Sequence, residues 1–158
     1  MSTVVGLFDD RSQAEKAVEE IKHSGIAENE ISIVGKEDRL RGGNDDNDMA
    51  GAEMATGATT GGTIGGLAGL LAGAGALAIP GVGPILAAGP IAAGLSGVAA
   101  GGIVGGLVDV GIPKERGEHY ENELKKGSIL AAVKTDGNKT EEVANFMRKN
   151  GARDVESH

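Results

Sequence analysis

The chain has 158 residues, a formal charge of −8 and no cysteine. Without thiols there is neither a disulfide framework nor thiolate chemistry, and the acidic balance works against nucleic acid and against electrostatic docking on anionic lipid. A length of this order suits one domain, or a small domain carrying an insertion.

The first ten residues lack the basic segment and long apolar run of a secretory leader, so a cytosolic start is expected. Thr3 to Phe8 is a β-prone run, and Asp9-Asp10-Arg11-Ser12 then offers side-chain oxygens to cap a helix. Ala14, Ala17, Val18 and Ile21 follow at helical spacing, and the pattern stops at Ser24-Gly25. Ile31 to Val34 supplies a second strand, which completes a first βαβ half over residues 1–35. The acidic, glycine-containing segment 36–48 reads as a flexible linker.

Between Glu53 and Asp109 no residue is charged. Within that stretch small residues recur every fourth position at Gly57, Gly61, Gly65, Gly69 and Gly73, then at Gly89, Ala93, Gly97, Gly101 and Gly105. On helices such residues form bare stripes along which backbones can approach closely. Pro80, Gly81, Gly83 and Pro84 interrupt the stretch, so residues 49–110 are predicted to form a helical hairpin with its tip at 79–84. Each arm would be about 36 Å long at 1.5 Å per residue, enough to cross a hydrocarbon core of about 30 Å. Composition argues the other way. Gly and Ala remove little apolar surface from water, and the flanks are acidic where aromatic and basic anchors would stand. Gly in a helix also costs about 1 kcal/mol relative to Ala, so the stripes are expected to be repaid by helix–helix contacts between copies.

Residues 111–158 hold a connecting helix from Pro113, with Tyr120 and Leu124 on one face, and then a second half: a strand over 129–133, a helix from Thr140 with Val143, Ala144 and Met147, and a short edge strand over 153–156. Shifting the chain by 126 positions superposes Asp10 on Asp136, Glu15 on Glu141, Ile21 on Met147 and Gly25 on Gly151. Two such halves combine into an α+β, ferredoxin-like split βαβ domain: a four-stranded sheet with helices on one face, and the long Gly/Ala-rich hairpin inserted between the halves.

The run Val4-Val5-Gly6-Leu7-Phe8-Asp9, the hairpin core Ala78-Ile79-Pro80-Gly81-Val82-Gly83-Pro84, and Gly111-Ile112-Pro113 with Tyr120-Glu121 and Gly127-Ser128-Ile129-Leu130 together resemble the bacterial heat-induced general stress protein family, YflT-like. The resemblance implies a bacterial stress-associated protein whose biochemical activity the family does not define, and it supplies no catalytic or ligand residues.

The acidic cluster Asn44-Asp45-Asp46-Asn47-Asp48 fails the calcium-loop register, because Gly51 stands sixth from Asp46 but Gly57, not Glu, stands twelfth. His23, His119 and His158 are too scattered for a metal site. Gly61-Gly62-Thr63-Ile64-Gly65-Gly66 lacks the Gly-Lys-Ser/Thr ending of a phosphate loop, and no nucleophile-base order supports hydrolysis. No catalytic residue, cofactor, metal or small-molecule ligand is therefore expected. The expected function is that of a non-enzymatic stress protein that self-associates through its glycine-striped hairpin, and the partners are a second copy of the chain and the inner face of the cell membrane. The alternative is a soluble homo-oligomer or scaffold with the hairpins in a shared core.

Overall fold

The computed structural model describes residues 1–40, 75–79, 83–92 and 102–158. Strand β1 (Ser2–Phe8) leads into helix α1 (Arg11–His23). Asp10 is the N-cap, its carboxylate accepting from the Ser12 amide at 3.3 Å, and the predicted face of Ala14, Ala17, Val18 and Ile21 is buried. A single 3-10 turn precedes strand β2 (Ile31–Lys36), and helix α2 (Glu37–Leu40) follows it. Strands β3 (Gly75–Ile79) and β4 (Gly83–Ala88) come next, then helix α3 (Gly102–Asp109), helix α4 (Lys114–Lys125), strand β5 (Ile129–Thr135), helix α5 (Thr140–Lys149) and strand β6 (Arg153–Ser157).

The fold is α+β, with one antiparallel six-stranded sheet in the order β3-β4-β2-β5-β1-β6. The strands of the two chain ends alternate at its centre: β5 lies between β1 and β2, with Val4 opposite Val133 and Ile33 opposite Ala131.

Helices cover both faces, where the sequence pattern leads one to expect a single covered face. One core gathers Val4, Phe8, Ile33, Ala131 and Val133 under α1 and α5; the other gathers Val5, Leu7, Val34, Leu130 and Ala132 under α3 and α4. The reason is written in the strands, which are apolar at both parities and buried along nearly their whole length; a one-sided sheet would alternate apolar with polar.

The middle of the chain brings the main correction. The residues on either side of the expected hairpin tip are strands, not helices: β3 and β4 pair antiparallel, Ile79 opposite Gly83 and Gly75 opposite Ala87. Chain reversal at the tip is as expected, but the arms that leave it are extended. Ile85, Leu86, Ala87 and Ala88 are fully buried through pairing with β2, a reward that two glycine-rich helices could not match at this position. Pro84, exposed as the second residue of β4, is tolerated near a strand start where its missing donor does not break a ladder. Helicity does appear further along the expected second arm, in α3. The linker expectation over 36–48 is corrected at its start, since α2 occupies 37–40 and Leu40 is fully buried against Gly35; residues 41–48 lie outside the described residues.

Candidate functional site

Of the small residues expected to pack helix on helix, Gly57, Gly61, Gly65, Gly69, Gly73, Ala93, Gly97 and Gly101 lie outside the described residues, as do Pro80 and Gly81 of the tip. Gly83 opens β4 with φ +90°, and a β-carbon there would meet nothing within 4 Å. Gly105 lies on α3, which packs on α4 where Gly117 faces Val104 and Leu107. Gly89 has another task. It ends β4 with φ +85°, and a β-carbon built on it would fall 2.1 Å from the Ile31 carbonyl oxygen and 2.9 Å from the Ser32 Cα. Its bareness serves a crossing of its own backbone over β2, not a stripe on a helix. The crossing is fixed from the other side by the Ile91 amide, which donates to the Ser32 Oγ at 3.3 Å.

The densest polar constellation among the described residues is a seam between α4 and the edge strand β6. Arg116, His119, Tyr120 and Glu123 fall at i, i+3, i+4 and i+7 and so share one face of α4. Opposite them, Arg116 donates through Nε and Nη2 to the two oxygens of Glu156, at 2.7 and 2.5 Å. The Tyr120 hydroxyl donates to Glu156 Oε2 at 3.1 Å, and His119 Nε2 lies 3.0 Å from Asp154 Oδ2. Arg153 reaches Asp9, the Ser128 hydroxyl and Glu123, whose other oxygen accepts from Lys126 at 2.9 Å.

A bulge makes this seam possible. Val5 pairs with Glu156 and Leu7 with Arg153, so two steps along β1 match three along β6, and Asp154 takes φ +49°. Residues three apart on a regular strand face opposite sides; the extra residue turns both Arg153 and Glu156 toward α4.

The electrostatics follow from these contacts. Burial pushes the Tyr120 hydroxyl up to about 12, Arg116 working against this and the Glu156 charge with it. The Lys126 hydrogen bond, helped by Arg153, holds Glu123 below its ordinary range although burial opposes it. His119 does the same for Asp154. Each carboxylate of the seam is thus engaged by an arginine, lysine, histidine or hydroxyl, an arrangement that clamps a helix to a sheet edge. No group of three or more His, Cys, Asp or Glu side chains suited to a metal ion occurs among the described residues.

Sequence reasoning took Tyr120 with Leu124 as a core anchor, and both are fully buried. It missed the seam. The signal was present as a polar stripe at helical spacing on α4 and a charged strand at β6, but only the register of β6 reveals that the two meet.

A family model for the heat-induced stress protein YflT domain matches residues 3–78, from β1 through nearly all of β3. No curated protein matches the chain, and no solved structure does.

Proposed function

We propose that this chain, which belongs to the heat-induced stress protein YflT family through residues 3–78, is a non-enzymatic stress-response protein that acts by self-association of its charge-free middle stretch. The observation that carries this reading is the partition of charge. Every charged residue lies outside 54–108, and around the sheet the acids and bases are spent on one another, as in the α4–β6 seam. The order β2-β5-β1-β6 supports a ferredoxin-like reading of the two chain ends, widened by the β3–β4 hairpin. The stripes Gly57 to Gly73 and Ala93 to Gly101, on either side of that hairpin, are the proposed contacts between copies; Gly89 is not among them.

Light scattering on the full chain tests the proposal. Gly65→Leu and Gly101→Leu should each reduce the particle mass, and a mass unchanged in both variants refutes the role of the stripes. A second reading places the charge-free stretch against the cytosolic face of the membrane. Its uncharged composition favours contact with lipid, whereas no described helix is long and apolar enough to cross a bilayer. Flotation with vesicles separates the two: co-flotation supports lipid contact, and a large particle that stays at the bottom supports a soluble assembly.

A further inference from the structure

We infer that the β3 edge of the sheet is where a second copy of this chain docks, by antiparallel addition of β3 to its counterpart. The inference rests on the self-association proposed above and adds to the stripes a second contact, between sheets.

The two outer strands of the sheet are built differently. At one edge β6 is kinked by the bulge at Asp154, lined with Arg153, Asp154 and Glu156, and clamped by α4. These are the devices by which proteins stop an edge from recruiting another strand. Among the described residues the opposite edge has none of them. β3 reads Gly-Ala-Leu-Ala-Ile, with no charge and no proline, pairs with β4 in unbroken register through all five residues, and among the described residues pairs with β4 alone.

The composition of β3 also selects the partner. Antiparallel pairing of two β3 strands about a two-fold axis at Leu77 sets Ala76 opposite Ala78 and Gly75 opposite Ile79, a register in which no like charges are paired. Backbone hydrogen bonds would supply the affinity, as in other strand additions. The net charge of −8 is carried by the rest of the chain, so pairing along this uncharged stretch brings no like charges together.

The test compares the full-length protein with its Leu77→Lys variant by light scattering over a range of concentrations. The parent should run above the 15.8 kDa of one chain, and the variant should have a lower mass than the parent at the same concentration. Hydrogen exchange on the parent gives a second reading that needs no variant: amides of 75–79 should become more protected as concentration rises. An oligomer whose mass survives Leu77→Lys, or β3 protection independent of concentration, overturns this contact while leaving self-association through other residues standing. A parent that is monomeric at every concentration overturns both.

Discussion

Gly89 passes so close to Ile31 that a single added methyl would lie 2.1 Å from the Ile31 carbonyl oxygen. The carbonyl is backbone held by β2, and the position of a Cβ is fixed by the backbone at the end of β4, so no side-chain rotation relieves the contact. Gly89→Ala should therefore destabilise the fold by about 2–5 kcal/mol, combining left-handed backbone strain with overpacking. Chemical denaturation checks this. A loss below about 1 kcal/mol would mean that the β4–β2 crossing yields, and that Gly89 is free to serve elsewhere.

The single tyrosine makes the seam directly observable. Tyr120 is buried and its hydroxyl held up to about 12 against an ordinary value near 10. A group whose folded value is raised favours the fold below its unfolded value, and that contribution is lost as pH rises through the folded value; stability should thus decline between about pH 10 and 12. Phenolate absorbance should report one transition near 12 in the folded protein and one near 10 in denaturant. Because the Glu156 charge helps to raise the value, Glu156→Gln should move the folded transition down. A transition near 10 in the native protein would place Tyr120 in contact with water.

At the acid end the sign reverses. Glu123 and Asp154 are both held below their ordinary values, by Lys126 and His119 respectively, so their contribution is present above about pH 4 and is lost as pH falls through the lowered values. Glu123 is the better probe, since its side chain is 11 % exposed against 43 % for Asp154 and solvent screens the exposed pair. Glu123→Gln should flatten the decline of stability between about pH 5 and 3 more than Asp154→Asn does. Equal slopes in the parent and both variants would show that neither pair is formed in solution.

How much of this was legible in the sequence differs by region. The outer halves were readable because local signals agreed: the Asp10 cap, the apolar face of α1, and Gly25, Gly127 and Gly151 at positive φ just past their helices. In the middle stretch the signals conflicted. Gly and Ala at period four specify a helical stripe as long as tertiary structure offers nothing better, but β2 presents an open edge on which Ile85 and Leu86 can be buried as a strand, and a short apolar run does not declare its period. The α4–β6 seam was illegible for another reason. It joins Arg116 to Glu156 across 40 residues, through a bulge that no local rule placed at Asp154.

The crossing of α3 on α4 gives a further prediction. A β-carbon on Gly117 would sit 3.2 Å from Val104 Cγ1 and 3.8 Å from Leu107 Cβ, tight but directed at a side chain that can turn. Gly117→Ala also gains helix propensity of about 1 kcal/mol, which offsets most of the crowding, so thermal stability should change little. Gly117→Leu has no such room and should cost about 1–3 kcal/mol by prising the helices apart. If Leu were tolerated as well as Ala, α3 would not be seated on α4.

The bulge at Asp154 can be separated from the charge it carries. A left-handed residue other than glycine costs roughly 1–2 kcal/mol, whereas a half-exposed pair such as Asp154 with His119 is worth about 0–1 kcal/mol. Asp154→Gly removes both and should leave stability unchanged or slightly raised, with the Arg116–Glu156 contact intact because the bulge persists. Asp154→Val keeps the strand composition but cannot take φ +49° cheaply. To relax, β6 would have to give up its extra residue, and Arg153 and Glu156 would then face opposite sides of the strand. That variant should lose more stability than the exposed ion pair can account for, and the Tyr120 transition should fall toward 10 as Glu156 withdraws. Equal stability of the Gly and Val variants would show that the bulge does not hold the seam together.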